Sequence, residues 1–218
     1  KAQENGLIAT NPAEHIVKPI GTKTYRRAIT ENECKHLLKA AETDPRFTLF
    51  LLMLDCGCRP SEAIEAQGRD ITEIDGYHVL HIRGTKTANA DRFVPIPDDL
   101  YQVIKKTPKF DYISPNEARN KHTKKSYQRL CKHLRREMNI SMGCRVYRNQ
   151  LIPPLPLADD FVPYNLRHTY CTDLQKKGID IRTAQYLMGH SDIKMTANIY
   201  THADNSTIVD AAKILSGC

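Results

Sequence analysis

The sequence predicts an α+β fold that is mainly helical and carries one small three-stranded antiparallel sheet. Helix-start signals at Thr30 and Asp44, and helix-stopping glycines at Gly178 and Gly189, bound apolar stretches with helical spacing towards both ends of the chain. Between them, three short strand-like runs surround Asp75-Gly76, the strongest hairpin signal in the sequence. With 218 residues the chain is long enough to bury one substantial core, which favours a single domain.

The first 22 residues are expected to hold the tail of an upstream helix and then a linker. Asn11-Pro12 and Lys18-Pro19 disfavour helical backbone and favour an extended connection. An ordinary polar arm is the alternative. The chain begins at Lys1 rather than at a methionine, which indicates a fragment of a longer protein.

Three helices are predicted before the sheet, over residues 31–41, 45–54 and 61–67. Thr30-Glu-Asn-Glu33 is a capping box that starts the first helix. Asp44-Pro45 starts the second, and its uniformly apolar run marks it as central core. Gly57 ends that helix, so Arg59 arrives at the start of the third.

The three strands are predicted over residues 71–74, 77–82 and 92–96. Asp75-Gly76 supplies the positive φ angles of a tight turn between the first two. The second connection, residues 83–91, is longer and polar and carries Lys86. A short helix is predicted to follow over residues 98–106.

A basic helix is predicted over residues 123–138. A charge run of this kind is usually a solvated face. The cationic side chains predicted on that face are Lys124, Lys125, Arg129, Lys132, Arg135 and Arg136. The next segment, residues 141–163, contains several prolines and is predicted to hold no regular element.

The last quarter of the chain predicts three helices, over residues 165–177, 180–188 and 192–200. Arg167, His190 and Tyr200 each fall where one of these helices begins or ends, so the three side chains can converge on one point. Tyr170 and Tyr186 are predicted to be core aromatics. Arginine, histidine and tyrosine suit phosphoryl transfer, because a cation binds phosphate, an imidazole bonds or moves a proton, and a phenol attacks.

Neither a phosphate-binding glycine loop nor a carboxylate cluster for magnesium accompanies these residues in the sequence. The seven cysteines lack the spacing of a zinc site. The expected chemistry is therefore covalent and uses no cofactor and no metal. The net charge of +7 makes a polyanionic partner plausible, and no apolar run is long enough to span a bilayer, so we expect a cytoplasmic protein without a membrane partner.

Six positions resemble the motifs of the tyrosine recombinases, the phage-type integrase family, in the family's order across nearly the whole chain. They are Arg59 in Gly-Cys-Arg-Pro-Ser-Glu, Lys86 in Gly-Thr-Lys-Thr, Tyr164 and Arg167 in Tyr-Asn-Leu-Arg, His190 after a glycine, and Tyr200 in Ile-Tyr-Thr-His. Tyr164 departs from the family pattern, which has histidine there. The resemblance implies a catalytic domain of the DNA breaking-rejoining type over residues 23–203.

The resemblance also implies a role for each residue. Arg59 and Arg167 would neutralise the charge on the reacting phosphorus, and Glu62 would either orient Arg59 or merely pair with it. The nucleophile would be Tyr200, which forms a 3′-phosphotyrosine. His190 would either hydrogen-bond to the phosphate or accept the proton of Tyr200. Lys86 would protonate the departing 5′ oxygen, and Tyr164 would donate a hydrogen bond to a phosphate oxygen.

Double-stranded DNA is the implied partner, contacted by Lys121, Lys124, Lys125 and Arg129. The family further implies an upstream DNA-binding module that ends within residues 1–22. For the C-terminal tail over residues 204–218 the default expectation is that it folds back on its own domain. The family implies instead that it is exchanged between protomers of a tetrameric synapse, and that an accessory directionality factor assists. Among such recombinases the sequence favours an integrase of a phage or conjugative transposon, acting at the bacterial nucleoid.

Two alternatives stay open from the sequence. A type IB topoisomerase shares the same chemistry but relaxes supercoils without pairing two sites. A catalytically silent DNA-binding regulator would keep the scaffold and lose the activity.

Overall fold

In the computed structural model, the described residues are 2–12, 26–84 and 91–200. The helices are α1 (Glu31–Thr43), α2 (Thr48–Asp55), α3 (Pro60–Glu65), α4 (Asp98–Ile104), α5 (Lys124–Ser141), α6 (Tyr164–Lys176), α7 (Ile181–Met188) and α8 (Ile193–Tyr200). The strands are β1 (Ile71–Ile74), β2 (Tyr77–Ile82), β3 (Arg92–Pro95), β4 (Val146–Tyr147) and β5 (Gln150–Leu151). The predicted mainly helical α+β class with a three-stranded antiparallel sheet is confirmed.

The predicted helices are present with small differences at their ends. The capping box of α1 is formed, with Thr30 Oγ1 accepting from Glu33 N at 3.2 Å and Glu33 Oε2 accepting from Thr30 N at 2.8 Å. A 3-10 turn over Pro45–Phe47 precedes α2, so the second helix begins later than predicted. The backbone of α5 continues to Ser141, beyond the predicted end at residue 138.

The core is built around α2, in which every residue from Thr48 to Leu54 is buried. It packs against α6, while α1 packs against α5. Tyr170 on α6 is buried, as predicted. Tyr186 on α7 was predicted to be a core aromatic, and this is wrong: its ring is 45% exposed, and its hydroxyl accepts a hydrogen bond from Phe93 N at 3.1 Å.

The sheet has the order β1-β2-β3, with both pairs antiparallel. Asp75 and Gly76 have φ angles of 49° and 83°, which is the turn expected from their sequence. Ile82 pairs with Arg92, so these two residues close the base of the connection that carries Lys86. Residues 85–90 of that connection lie outside the described residues.

The segment between α5 and α6 differs from its prediction. It contains a small hairpin in which β4 pairs with β5, around a turn where Arg148 and Asn149 have φ angles of 44° and 63°. This segment also covers part of α5: Arg136 Nη2 donates to Asn149 Oδ1 at 2.6 Å, and Arg135 donates to the Phe161 carbonyl. Both arginines are therefore half-buried rather than exposed, which is a correction to the predicted basic face.

The predicted ends of the chain are only partly covered. Residues 2–12 are exposed, whereas the linker up to residue 22 and the tail over residues 204–218 fall largely or wholly outside the described ranges. Within those ranges, no helix is both long and apolar enough to cross a membrane.

Candidate active site

Three arginines from distant parts of the chain surround one carboxylate, that of Glu62. Arg59 Nη1 lies 2.6 Å from Glu62 Oε1. Arg92 donates to both oxygens, at 3.1 and 2.9 Å. Arg167 Nη1 lies 3.9 Å from Glu62 Oε2. We call these three arginines and Glu62 the arginine cluster; counting charges, three guanidinium groups against one carboxylate leave the cluster with a net charge of +2.

The same arginines also bind the C-terminal end of α7. The last carbonyls of a helix have no partner within the helix, and they carry the negative end of its dipole. Here three consecutive carbonyls are each bound by a different arginine: Leu187 by Arg92 at 2.8 Å, Met188 by Arg167, and Gly189 by Arg59 at 2.6 Å. Gly189 has a φ of 60°, the left-handed conformation that turns the chain there.

Arg59 is oriented by the start of α3. Its backbone is extended, and Pro60 takes the first helical position, where a missing N–H costs nothing. Glu62, three residues on, accepts the Arg59 backbone N–H at 2.7 Å and binds its guanidinium as well. Glu62 therefore both caps the helix and orients Arg59, which resolves the alternative left open by the sequence.

Arg167 lies one turn into α6 and is 1% exposed. Its guanidinium donates to the Gly57 and Met188 carbonyls, while its Nε is buried without a hydrogen-bond partner among the described residues. Burial, together with the nearby charge of Arg59, lowers the pKa of Arg167 below its ordinary value. An arginine stays protonated at neutral pH even so. The site thus holds a desolvated cation whose Nε–H is not used in any hydrogen bond among the described residues.

The carboxylate of Glu62 is ionised. Burial alone would raise its pKa, but the hydrogen bonds and charge of Arg92, with those of Arg59, outweigh burial and lower the pKa to about 2. A carboxylate held between cations in a poorly solvated place keeps its charge. It therefore counters part of the arginine charge without being neutralised itself.

His190 follows the α7 carbonyls directly and is 4% exposed. Its Nδ1 lies 2.9 Å from Thr196 Oγ1 on α8. Burial, and then the charges of Arg167, Arg59 and Arg92, lower its pKa to about 4. At neutral pH the imidazole is therefore uncharged in this structure.

A cavity of about 390 Å³ opens beside the arginine cluster. It lies between α3, β2 and the turn after α7, and its lining includes Arg59, Glu62, Arg83, Gly189 and Ser191. Among the described residues, no group of three or more His, Cys, Asp or Glu side chains could hold a metal ion. The lining also includes the carboxylates of Glu65 and Asp70, so the group in this cavity that suits a phosphate is the guanidinium of Arg59.

The sequence profile of the Phage integrase family matches residues 27–207. The chain belongs to this family. A tyrosine recombinase of Thermosipho africanus is 28% identical over 97% of this chain and 69% of its own length. Tyrosine recombinase XerA of Pyrococcus furiosus is 30% identical over 92% of this chain and 66% of its own. The chain therefore spans about two thirds of these relatives.

Solved structures of similar fold include members with DNA. An integrase of transposon Tn1549, in complex with transposon right-end DNA, matches with a TM-score of 0.67 at 20% identity, over 99% of this chain and 74% of that one. The crystal structure of XerA recombinase matches with a TM-score of 0.61 at 20% identity, over 89% and 65%. The shared fold is that of tyrosine recombinases.

The structure places the family's predicted site residues unequally. Arg59, Arg167 and His190 converge, as the hydrogen bonds above show. Tyr200 is not with them: its hydroxyl donates to the Ile179 carbonyl at 3.2 Å, between α6 and α7. Burial, followed by the nearby Cys171 and Asp180, raises the pKa of Tyr200 to about 12, so the phenol is protonated there.

Tyr164, which stands where the family has histidine, opens α6 one turn before Arg167 and is 40% exposed. The guanidinium of Arg26 lies over its ring, 5.6 Å from the centroid, a cation–π distance. A cation is thus brought to the position where the family carries an imidazole. Lys86 lies outside the described residues.

The four predicted DNA contacts are all exposed. Lys124, Lys125 and Arg129 lie on α5, opposite the buried Leu130 and Leu134. Lys121 pairs with Glu65 at 2.8 Å, an exposed ion pair of little stability that an incoming phosphate can replace. Their contact with DNA stays a prediction.

Sequence reasoning missed Arg92. A signal was present: strand alternation puts Arg92, Val94 and Ile96 on one face, and that face is buried. An arginine in phase with two core aliphatic residues indicates a buried, paired charge.

Replacing Gly57 with alanine is expected to destabilise the fold by about 2–4 kcal/mol. Gly57 has a φ of 60°, and an added Cβ would overlap the Tyr170 ring. Gly76 is the matched control, because its φ is 83° but nothing lies within 4 Å of an added Cβ. Gly76→Ala should therefore cost only about 1 kcal/mol. Urea unfolding measures both, and equal losses would contradict the close packing at Gly57.

Protonation of His190 should weaken the folded state. Its pKa is about 4 when folded and 6.5 in the unfolded chain, so the unfolded chain binds a proton first as pH falls. The contribution of the neutral imidazole to the free energy of unfolding is fully present above pH 6.5. It is lost as the pH falls towards 4, by up to about 3 kcal/mol. The free energies of unfolding of wild type and His190→Gln should change differently with pH over this window. The other titrating groups are common to both proteins, so their effects cancel in the difference. Parallel curves would show that His190 does not carry the effect.

Proposed function

We propose that this chain is the catalytic part of a site-specific DNA recombinase that cuts and rejoins DNA through a 3′-phosphotyrosine on Tyr200. The observation that carries the proposal is the arginine cluster. Arg59 and Arg167 are fixed by backbone carbonyls, Arg59 lines the cavity, and the cluster keeps a positive charge after Glu62 is counted. Family membership favours this activity over a type IB topoisomerase or a silent regulator.

In the proposed reaction, the Tyr200 phenol oxygen attacks the scissile phosphorus and passes its proton to a base, for which the neutral His190 is the candidate. The bond from phosphorus to the 5′ oxygen breaks, and that oxygen takes a proton from Lys86. The products are a 3′-phosphotyrosine and a free 5′ hydroxyl. Attack by the 5′ hydroxyl of a partner strand reverses these steps, which conserves the energy of the phosphodiester without ATP.

The fixed donors stabilise charge as it develops on the pentacoordinate phosphorus. One preorganised donor in a dry site lowers the activation free energy by about 3 kcal/mol, and here two guanidinium groups are available. Arg167 retains an unused buried Nε. His190 is neutral, and the negative charge of a bound phosphate would raise its pKa and favour a hydrogen bond or a proton transfer.

The hydrogen bond from the Tyr200 hydroxyl to the Ile179 carbonyl has to break before Tyr200 can attack the phosphate. In the described position its phenol is protonated and its hydroxyl is satisfied by a carbonyl, so it is a poor nucleophile. We therefore propose that assembly on DNA moves α8 and delivers Tyr200 to the phosphate. The tail over residues 204–218, exchanged between protomers of a tetramer, would couple this movement to synapsis.

Double-stranded DNA is the proposed substrate, bound through Lys121, Lys124, Lys125 and Arg129. Similarity to an integrase of transposon Tn1549 bound to DNA supports a role in a mobile element of phage or conjugative-transposon type, in the bacterial cytoplasm, with an accessory directionality factor. The relative XerA supports a second candidate, a host recombinase of the Xer type. Mapping the DNA that the full-length protein protects distinguishes an element end from a chromosomal site.

A nicked suicide substrate should trap a covalent protein–DNA adduct with the wild-type protein, and Tyr200→Phe should form none, because the substitution removes only the attacking oxygen. Both proteins should bind the DNA equally. The control is Tyr147→Phe, an exposed tyrosine in the β4–β5 hairpin, which should still form the adduct. An adduct with Tyr200→Phe, or none with wild type, contradicts the proposal.

Lys86→Ala should slow cleavage of an ordinary phosphodiester by about 10²- to 10⁴-fold, the usual contribution of a general acid. A substrate whose leaving 5′ oxygen is replaced by sulfur should be cleaved by Lys86→Ala at nearly the wild-type rate, because a thiolate departs without protonation. Lys125→Ala is the control: loss of a DNA contact should affect both substrates alike. If sulfur gives no rescue, Lys86 is not the general acid.

A further inference from the structure

Arg92 lies within the arginine cluster, but each of its three guanidinium nitrogens is already hydrogen-bonded, to Glu62 or to the Leu187 carbonyl. Its side chain is 0% exposed, whereas Arg59 is 31% exposed and lines the cavity, and the buried Arg167 keeps an Nε without a partner among the described residues. Arg92 stands at the first residue of β3, paired with Ile82 across the base of the connection that carries Lys86. Any part that Arg92 has in the reaction must pass through its neighbours.

Those neighbours belong to two other elements, α3 and α7. Arg92 Nη1 and Nη2 donate to Oε1 and Oε2 of Glu62 at 3.1 and 2.9 Å, a two-pronged contact that fixes the carboxylate plane. Arg92 Nε donates to the Leu187 carbonyl at 2.8 Å. One rigid guanidinium therefore joins β3 to the start of α3 and to the end of α7.

Both joined elements bind the arginines that the proposed reaction uses, Arg59 and Arg167. Glu62 binds Arg59 through its side chain and its backbone N–H. The residues after Leu187 bind Arg167 and Arg59 through the Met188 and Gly189 carbonyls. A shift of Glu62, or of the end of α7, would therefore move the two guanidinium groups that the proposed reaction uses.

The charges in the cluster also indicate that Arg92 holds Glu62 in position. Without Arg92, the single negative charge of Glu62 would act on Arg59, at 2.6 Å, and Arg167, at 3.9 Å, alone. The carboxylate would then be held only by the backbone N–H and the guanidinium of Arg59, and its full charge would draw these two guanidinium groups towards it and away from the phosphate. With both oxygens bound by Arg92, the carboxylate keeps one orientation and the cluster keeps its positive excess.

We infer that Arg92 is a positioning residue: it holds Glu62 and the end of α7 so that Arg59 and Arg167 meet the scissile phosphate. The inference rests on the proposed function, since it concerns the same reaction. Lysine should not replace arginine here, because a single ammonium cannot contact both Glu62 oxygens and the Leu187 carbonyl in the same geometry.

The test compares wild type and Arg92→Lys, which preserves charge but not the planar group. Single-turnover cleavage of the nicked substrate is measured at saturating protein, with DNA binding measured separately. Arg92→Lys should cleave about 100-fold more slowly, the loss typical of a misplacement near 1 Å, while the Kd for DNA changes by less than about threefold. Thermal unfolding, followed by circular dichroism, identifies the assay temperature at which both proteins are folded.

A second substrate separates positioning from a merely structural role. When a neutral methylphosphonate replaces the scissile phosphate, less charge develops for the arginines to neutralise, so the loss in Arg92→Lys should shrink to within about fivefold. The matched control is Arg27→Lys. Arg27 also makes a two-pronged contact with a buried glutamate, Glu33, at 2.7 Å for both bonds, but on α1, outside the cavity lining. Its cleavage rate should equal that of wild type on both substrates.

Equal losses of Arg92→Lys on the two substrates, or no loss on either, would overturn the inference while leaving the wild-type adduct, and hence the proposed function, intact. Absence of an adduct with the wild-type protein would overturn both. If Arg92→Lys does not fold, Arg92→Gln, which removes the charge but keeps a donor, is measured on the same two substrates with the same expectations.

Discussion

The contact between three guanidinium groups and the C-terminal end of α7 is the constraint on which this site depends. A helix end leaves carbonyls without partners, and burying them uncompensated is costly. Here Arg92, Arg167 and Arg59 satisfy the carbonyls of Leu187, Met188 and Gly189 in turn. The same contacts join the last quarter of the chain to α3 and β3, so stabilising the fold and assembling the site are one event.

The cluster is stable without DNA because its charges already have acceptors. Glu62 and the helix carbonyls reduce repulsion among the arginines, yet they leave a net positive charge next to the cavity. In the proposed reaction, a phosphate would meet donors that need little rearrangement, which is the condition for electrostatic stabilisation of a transition state. Tyr200, the proposed nucleophile, has the opposite character: it is protonated and hydrogen-bonded to a backbone carbonyl, away from the arginine cluster.

Tyr164 shows how this chain differs from the family pattern. A phenol does not titrate near neutral pH as an imidazole does, so the proton that a histidine can carry is missing at this position. The structure places the guanidinium of Arg26 over the Tyr164 ring instead. Positive charge at the start of α6 is therefore supplied by an arginine from the segment before α1.

The sequence alone determined the helices and the three-stranded sheet, and it predicted Arg59, Arg167 and His190 as site residues, because caps, glycine stops and hairpin turns are local signals and the motif residues lie next to them. It did not determine the exposure of Tyr186, the β4–β5 hairpin that contacts Arg136, or the burial of Arg92. Each of these depends on which distant segment packs against a residue, and local periodicity does not encode that. The tertiary structure alone decided that Glu62 is the shared partner of three arginines and that Tyr200 rests against Ile179. Long-range ion pairs and the position of the Tyr200 hydroxyl depend on the packed chain, because packing makes neighbours of groups more than 100 residues apart, such as Arg59 and Gly189.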